Sequence, residues 1–224
     1  MISFFFLQVV KSFMGKKVTA RCSDSFGWCT IGDSHNSKLL NFYNTHGISA
    51  VAISGGWVRH GRKFLRSSLV NIGKVTCYFM FLNGNDLSSR KSLKSICADV
   101  SRMIKQIRAT NPDALVVTGT PVPRGENDAF ISRSECLDAR ITQYIPNHHH
   151  FITDLFVGDP DVVTGKVTPR LELYINDKTH LGYNGLSAYK ELLSYVIESV
   201  NNASFTGGRW IDSFGVSRSV FWKF

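Results

Sequence analysis

Five short apolar runs, Cys29 to Gly32, Ile48 to Ser54, Val75 to Leu82, Ala114 to Gly119 and His150 to Leu155, alternate along the chain with stretches of helical periodicity. Runs of that length suit strands covered on both faces, and their alternation with helices is the pattern of a parallel sheet with helical crossovers. The clearest helix spans Ser92 to Ala109, where Leu93, Ile96, Val100, Met103, Ile104 and Ile107 recur at three- and four-residue steps before "NPDA" closes it. A second runs from about Ser187 to Val200, and shorter ones follow Ser34 and span Ser132 to Gln143. The expectation is an α/β domain with a five-stranded parallel sheet. Right-handed crossovers place the C-terminal ends of such strands at one edge, where open α/β sheets bind ligands. The clusters "GDSH", "SGGW", "NGND" and "TPVPR" each follow one of these strands.

A chain of 224 residues can bury a full core, so we expect one domain over residues 25–200, with an N-terminal extension (1–24) and a C-terminal tail (201–224). No apolar run approaches the roughly 20 residues of a membrane span. "MISFFFLQVV" lacks a basic leader, carries Gln8 and is followed by no small-residue cleavage site, which reads as a strand or the remnant of a longer chain rather than a secretory signal. Five cysteines without metal-ligand spacing imply no disulfide framework. A Cys22 to Cys29 bridge and glycosylation at Asn202 belong to a secreted chain only, and the cytoplasm is the favoured compartment. The net charge of +9 suits an anionic partner such as nucleic acid, an acidic glycan or a lipid head group, although its densest cluster, Arg59 to Arg66, reads first as a solvated face.

Ser34 sits at a strand-to-helix bend, where its hydroxyl is exposed and its own N–H can stabilise negative charge. A serine hydroxyl is a weak nucleophile until a base takes its proton, and imidazole titrates in the right range. His180, three residues after Asp177 in "INDKTHLGYNG", fits that role, with the Asp177 carboxylate fixing the imidazole tautomer. Acyl transfer also needs donors aimed at the developing oxyanion. The Ser34 N–H, the Gly55 N–H and the Asn85 side-chain amide are candidates, with Gly56 an alternative to Gly55. Read singly, each has a structural explanation: a helix cap for Ser34 and for Asp177, a surface histidine, a plain glycine turn.

Together, "IGDSH", "ISGG", "NGND" and "DKTHL" resemble, in order and approximate spacing, the four blocks of the SGNH (GDSL-type) hydrolase family, over about Cys29 to Val200. The resemblance implies a flavodoxin-like three-layer α/β sandwich, ester hydrolysis without metal or organic cofactor, Ser34 as nucleophile, Gly55 and Asn85 as oxyanion donors, and Asp177 with His180 completing the site. The family's third block reads Gly-x-Asn-Asp, whereas this chain has Asn83-Gly84-Asn85-Asp86; asparagine tolerates left-handed backbone, which would preserve a turn there. The stretch from Asn85 to Arg124 also resembles a subgroup found in invertebrate genomes, including esterase domains carried by retrotransposons.

Weaker signals surround these blocks. Consecutive histidines on a strand point to alternate faces, so His148 to His150 do not make a metal site. His35 reads as a capping or substrate-facing residue. Trp57, Arg59 and Arg124 follow the second and fourth expected strands and are candidates for substrate contact. The expected activity is hydrolysis of a carboxylic ester through an acyl-enzyme, the family resemblance pointing to a small acyl group such as acetyl on a small molecule, glycan or lipid. The alternative is a catalytically weak nucleic-acid- or glycan-binding module on the same fold, derived from a retroelement.

Overall fold

A parallel sheet whose strand order reverses about its first strand sets the architecture. The computed structural model describes residues 8–21, 27–66, 75–89, 91–124, 128–146, 148–201, 207–211 and 217–223. The chain divides into two compact units, residues 1–118 and 119–224.

In the first unit, β1 (Gln8–Phe13) and β2 (Lys16–Arg21) form an antiparallel hairpin. They are followed by β3 (Trp28–Gly32), α1 (Ser34–Lys38), α2 (Leu40–Thr45), β4 (Ser49–Ile53) and α3 (Val58–Arg66). Then come β5 (Cys77–Phe81), α4 (Asn83–Ser88), α5 (Leu93–Thr110) and β6 (Leu115–Gly119). The order β1-β2-β4-β3-β5-β6 has β3 paired in parallel with both β4 and β5, β5 in parallel with β6, and β2 antiparallel on β4. β4 and β5 thus flank β3 on opposite sides, the kind of strand-order reversal at whose C-terminal strand ends open α/β sheets bind ligands. Ile31, Ile53, Tyr78, Phe79, Val116 and Val117 are fully buried, which explains the lack of polar alternation in "CYFMF". The expected α5 stripe is buried from Ile96 to Ile107 and the helix packs on α3.

The second unit carries α6 (Asp128–Tyr144), β7 (His149–Thr153), a 3-10 turn at Leu171–Leu173, α7 (Tyr183–Asn201), β8 (Gly207–Ile211) and β9 (Ser217–Lys223). β9 pairs antiparallel with both β7 and β8. All five expected strands are present; in the first unit β1 and β2 add antiparallel strands to the parallel ones, and in the second unit β7, β8 and β9 pair antiparallel. α7 starts four residues before its expected position because Tyr183 is 88% exposed and contributes nothing to the apolar stripe.

A charged network ties three helices of the first unit together. Asp86, fully buried, accepts the Val58 N–H at the start of α3 through Oδ2 (2.8 Å) and Lys91 Nζ through Oδ1 (2.7 Å). Lys91 also donates to Asp99 Oδ2 on α5 (2.6 Å). Burial raises the Asp86 pKa, only partly offset by its bonds from Lys91 and Val58. Burial acts the same way on the less buried Asp99, but the Lys91 contact outweighs it and the pKa falls. Removing one partner of a buried ion pair leaves the other charge uncompensated. Lys91→Met is expected to lower stability by about 3 kcal/mol in urea unfolding, with much of the loss recovered when Asp86→Asn is added. A loss near zero in the single variant would show that Asp86 needs no counter-charge.

Candidate active site

The bend after β3 is held by the side chain of Asn36. Its amide donates to the Val51 carbonyl of β4 at 2.9 Å while its oxygen accepts the Thr30 hydroxyl of β3 at 3.2 Å, and the residue is 2% exposed. This side chain lies so close over Gly32 that a Cβ there would stand 2.5 Å from Asn36 Cβ and Cγ. Glycine is therefore required by close approach at the strand end. Asp33 caps α1, its Oδ1 accepting the His35 N–H at 3.0 Å. Ser34 follows as the first helical residue, half-buried.

Two residues of α4 build the neighbouring loop. Asn85 Nδ2 donates to the Gly56 carbonyl at 3.0 Å and to Asp33 Oδ2 at 3.2 Å, so it joins the loop after β4 to the bend after β3. Gly55 has φ +60°, a left-handed conformation that disfavours any side chain. The Gly56 N–H is used by Ile53 O at 2.7 Å, whereas the Gly55 N–H donates to no group among the described residues. Of the two glycines, Gly55 is thus the one with a free donor. Asn83 is the first residue of α4 and has no left-handed backbone, so the tolerance of asparagine for that region is not called upon.

In the second unit, Asp177 and His180 close a tight turn. Ile175 N–H donates to His180 O at 3.0 Å, Tyr174 and Leu181 form an antiparallel bridge, and Lys178 takes a left-handed φ of 49°. Asp177 Oδ1 accepts the Thr179 and His180 N–H groups at 2.9 and 2.8 Å, while Oδ2 lies 2.7 Å from His180 Nδ1. The aspartate is therefore both a backbone cap and an imidazole partner. The His180 backbone N–H, then its ring, then the Thr179 N–H hold the Asp177 carboxyl well below the usual carboxylate range. An ionised carboxylate only accepts, which puts the neutral imidazole's proton on Nδ1 and leaves Nε2 as a base.

The remaining candidates fall into place less centrally. Arg59 stacks over Trp57, its guanidinium carbon 4.2 Å from the ring centroid, and the Trp57 N–H donates to His60 Nδ1 at 3.0 Å. Arg124 is half-buried in the loop after β6. His35 is not substrate-facing: it is 8% exposed and turns back on Asp33, Nδ1 to Oδ1 3.2 Å, because the helix start directs its ring inward. His150 is fully buried against Asp138, Nε2 to Oδ1 2.8 Å. Among the described residues no three His, Cys, Asp or Glu side chains gather as metal ligands, and no helix is long and apolar enough to cross a membrane. Among the described residues Cys29, Cys77, Cys97 and Cys136 form no disulfide; Cys22 and Asn202 lie outside the described residues. Asn36 and Asp33 are positioning residues that motif reading passed over. A polar residue two places after a strand-end serine was the available signal for Asn36.

No family model and no curated protein sequence matches the chain. Solved structures do. A GDSL-like lipase from Bacteroides thetaiotaomicron VPI-5482 is similar with a TM-score of 0.61 at 17% identity, over 79% of this chain and 89% of that one. The psychrotrophic esterase EstA from Pseudoalteromonas sp. is similar with a TM-score of 0.55 at 15% identity, over 79% and 99%. An acetyl esterase is similar with a TM-score of 0.53 at 14% identity, over 80% and 100%. At these identities the common property is the fold. The chain has the flavodoxin-like α/β fold of the GDSL-type hydrolases.

Proposed function

We propose that the chain is a serine esterase in which Ser34 is the nucleophile, His180 the general base and Asp177 its orienting carboxylate. The observation that carries this reading is the Asp177 to His180 pair: a carboxylate kept ionised by two backbone N–H groups, 2.7 Å from Nδ1, presents the tautomer a base needs. Ser34 Oγ attacks the ester carbonyl as His180 Nε2 takes its proton. The tetrahedral oxyanion is stabilised by the Ser34 and Gly55 N–H groups and by Asn85 Nδ2, which exchanges its longer contact, to Asp33 Oδ2, for the developing charge. Collapse expels the alcohol, which receives the proton from His180, and leaves an acyl-serine. Water, deprotonated by the same imidazole, then releases the acid and regenerates the hydroxyl. The substrate class is carboxylic esters with a small acyl group, acetyl first, on a small molecule, glycan or lipid. Similarity of fold to esterases, one of them an acetyl esterase, supports this choice.

Hydrolysis of a p-nitrophenyl acyl series tests the assignment. Ser34→Ala and His180→Ala are each expected to reduce kcat/KM for the acetyl ester by about a thousandfold or more, with folding unchanged by circular dichroism. Equal activity in the three proteins would remove the reaction from these residues.

The pH profile follows from the Asp177 carboxyl. Because its folded pKa is depressed, its contribution is fully present above the ordinary carboxylate value of about 4 and is lost only as pH falls toward the lowered value. Between about pH 5 and 8 the Asp177 carboxylate therefore stays ionised and takes up no proton. The acidic limb of log(kcat/KM) is expected to rise with a slope of one proton. A slope approaching two over that range would mean that Asp177 protonates together with the imidazole.

A further inference from the structure

A cavity of about 260 Å³ lies in the second unit between α6 and the strand-end segments after β6 and β7, and its lining includes none of the residues to which chemistry is assigned above. Ile131, Ile152 and Phe156 supply apolar wall. Against it stand polar groups that a hydrophobic core would not place there. Asp138, 3% exposed, faces His150 Nε2 through Oδ1 at 2.8 Å and accepts the Thr120 hydroxyl through Oδ2 at 3.0 Å. Ser134, one helical turn before Asp138 and on the same face of α6, is 3% exposed, yet its hydroxyl finds no hydrogen-bond partner among the described residues. Mid-helix serines usually satisfy themselves on the carbonyl four residues back; this one does not. A buried hydroxyl left unpaired costs stability, and a ligand that reaches it removes that cost.

The charge of the lining selects the ligand. Glu135, Asp138 and Asp154 all line the cavity, and among the described residues no lysine or arginine does. Each carboxylate oxygen of Asp138 can accept a second hydrogen bond beyond the one it makes. The volume is at the small end of ligand pockets, and the apolar wall suits a compact hydrocarbon body. We infer that this cavity is a binding site for a small apolar amine, its ammonium donating to the Ser134 hydroxyl and the adjoining carboxylates and its hydrocarbon part lying against Ile131, Ile152 and Phe156.

The test uses the full chain and three probes with one skeleton and different heads: 2-phenylethylamine, 2-phenylethanol and phenylacetate, titrated calorimetrically at low salt. Saturable binding of the amine is expected, about tenfold or more tighter than the alcohol, with no binding of the carboxylate. Ser134→Ala is expected to weaken amine binding about tenfold while raising the melting temperature of the ligand-free protein, since it deletes the unpaired hydroxyl. A residue serving only to pack would not move the two readouts in opposite senses. Glu135→Gln, at an exposed position, is expected to weaken the amine and leave the alcohol unchanged. Ile131→Trp, which fills the space, is expected to abolish binding. No saturable binding of the amine, equal binding of the three probes, or unchanged amine affinity in folded Ser134→Ala would each overturn the inference.

Discussion

The side-chain amide of Asn36 fixes the bend on which the candidate site of the first unit depends. It grips the Thr30 hydroxyl of β3 and the Val51 carbonyl of β4 from the first turn of α1, and it occupies the space that a side chain at Gly32 would need. A helix of five residues has little stability of its own. Its position is set instead by this buried amide and by the Asp33 cap, so the direction of the Ser34 side chain is a consequence of hydrogen bonds made by its neighbours. Asn85 extends the same scaffold, linking Asp33 to the Gly56 carbonyl and so coupling the serine bend to the loop that carries the free Gly55 N–H. In the proposed reaction, donors held in advance limit the reorganisation needed when charge develops, Asn85 Nδ2 exchanging its Asp33 contact.

Two carboxylates illustrate how environment divides one chemistry into two roles. Asp86 is buried, its pKa is raised, and it is matched to Lys91 and to the Val58 N–H at the start of α3, so its work is to anchor the Gly55 loop through α3. Asp177 is exposed at a turn, and backbone N–H groups aimed at one oxygen hold it ionised while the other oxygen is turned to an imidazole. The first stabilises a fold; the second, in the proposed reaction, orients the base. Hydrogen-bond geometry, more than residue type, makes the difference.

The elements with a strong period were legible in the sequence. α5 was expected over Ser92 to Ala109 and lies at Leu93–Thr110, and the run Ile48 to Ser54 contains β4 at Ser49–Ile53, because buried faces impose a regular apolar pattern. The hairpin of β1 and β2 was not, since its turn at Met14 and Gly15 places both residues at positive φ, 52° and 70°, and methionine is an unusual occupant of such a turn. The pairing of β9 with β7 joins segments distant along the chain, which local pattern does not encode. At the candidate site, Ser34, Gly55 and Asn85 were nominated from clusters that follow strands, and Asp177 and His180 from their three-residue spacing before the last helix, because acyl-transfer chemistry restricts residue type. Asn36 and the Asp86 to Lys91 pair were not, because their function lies in contacts across elements that spacing alone cannot express.

The account rests on the hydroxyl of Ser34 being made reactive by the imidazole of His180. Labelling with a fluorophosphonate, followed by digestion and mass mapping of the modified peptide, reads that reactivity at a single atom. The account predicts a label confined to Ser34 in the wild type, absent from Ser34→Ala, and formed at least about a hundredfold more slowly in His180→Ala. A label on another residue, or one formed on Ser34 at an unchanged rate without His180, would contradict it.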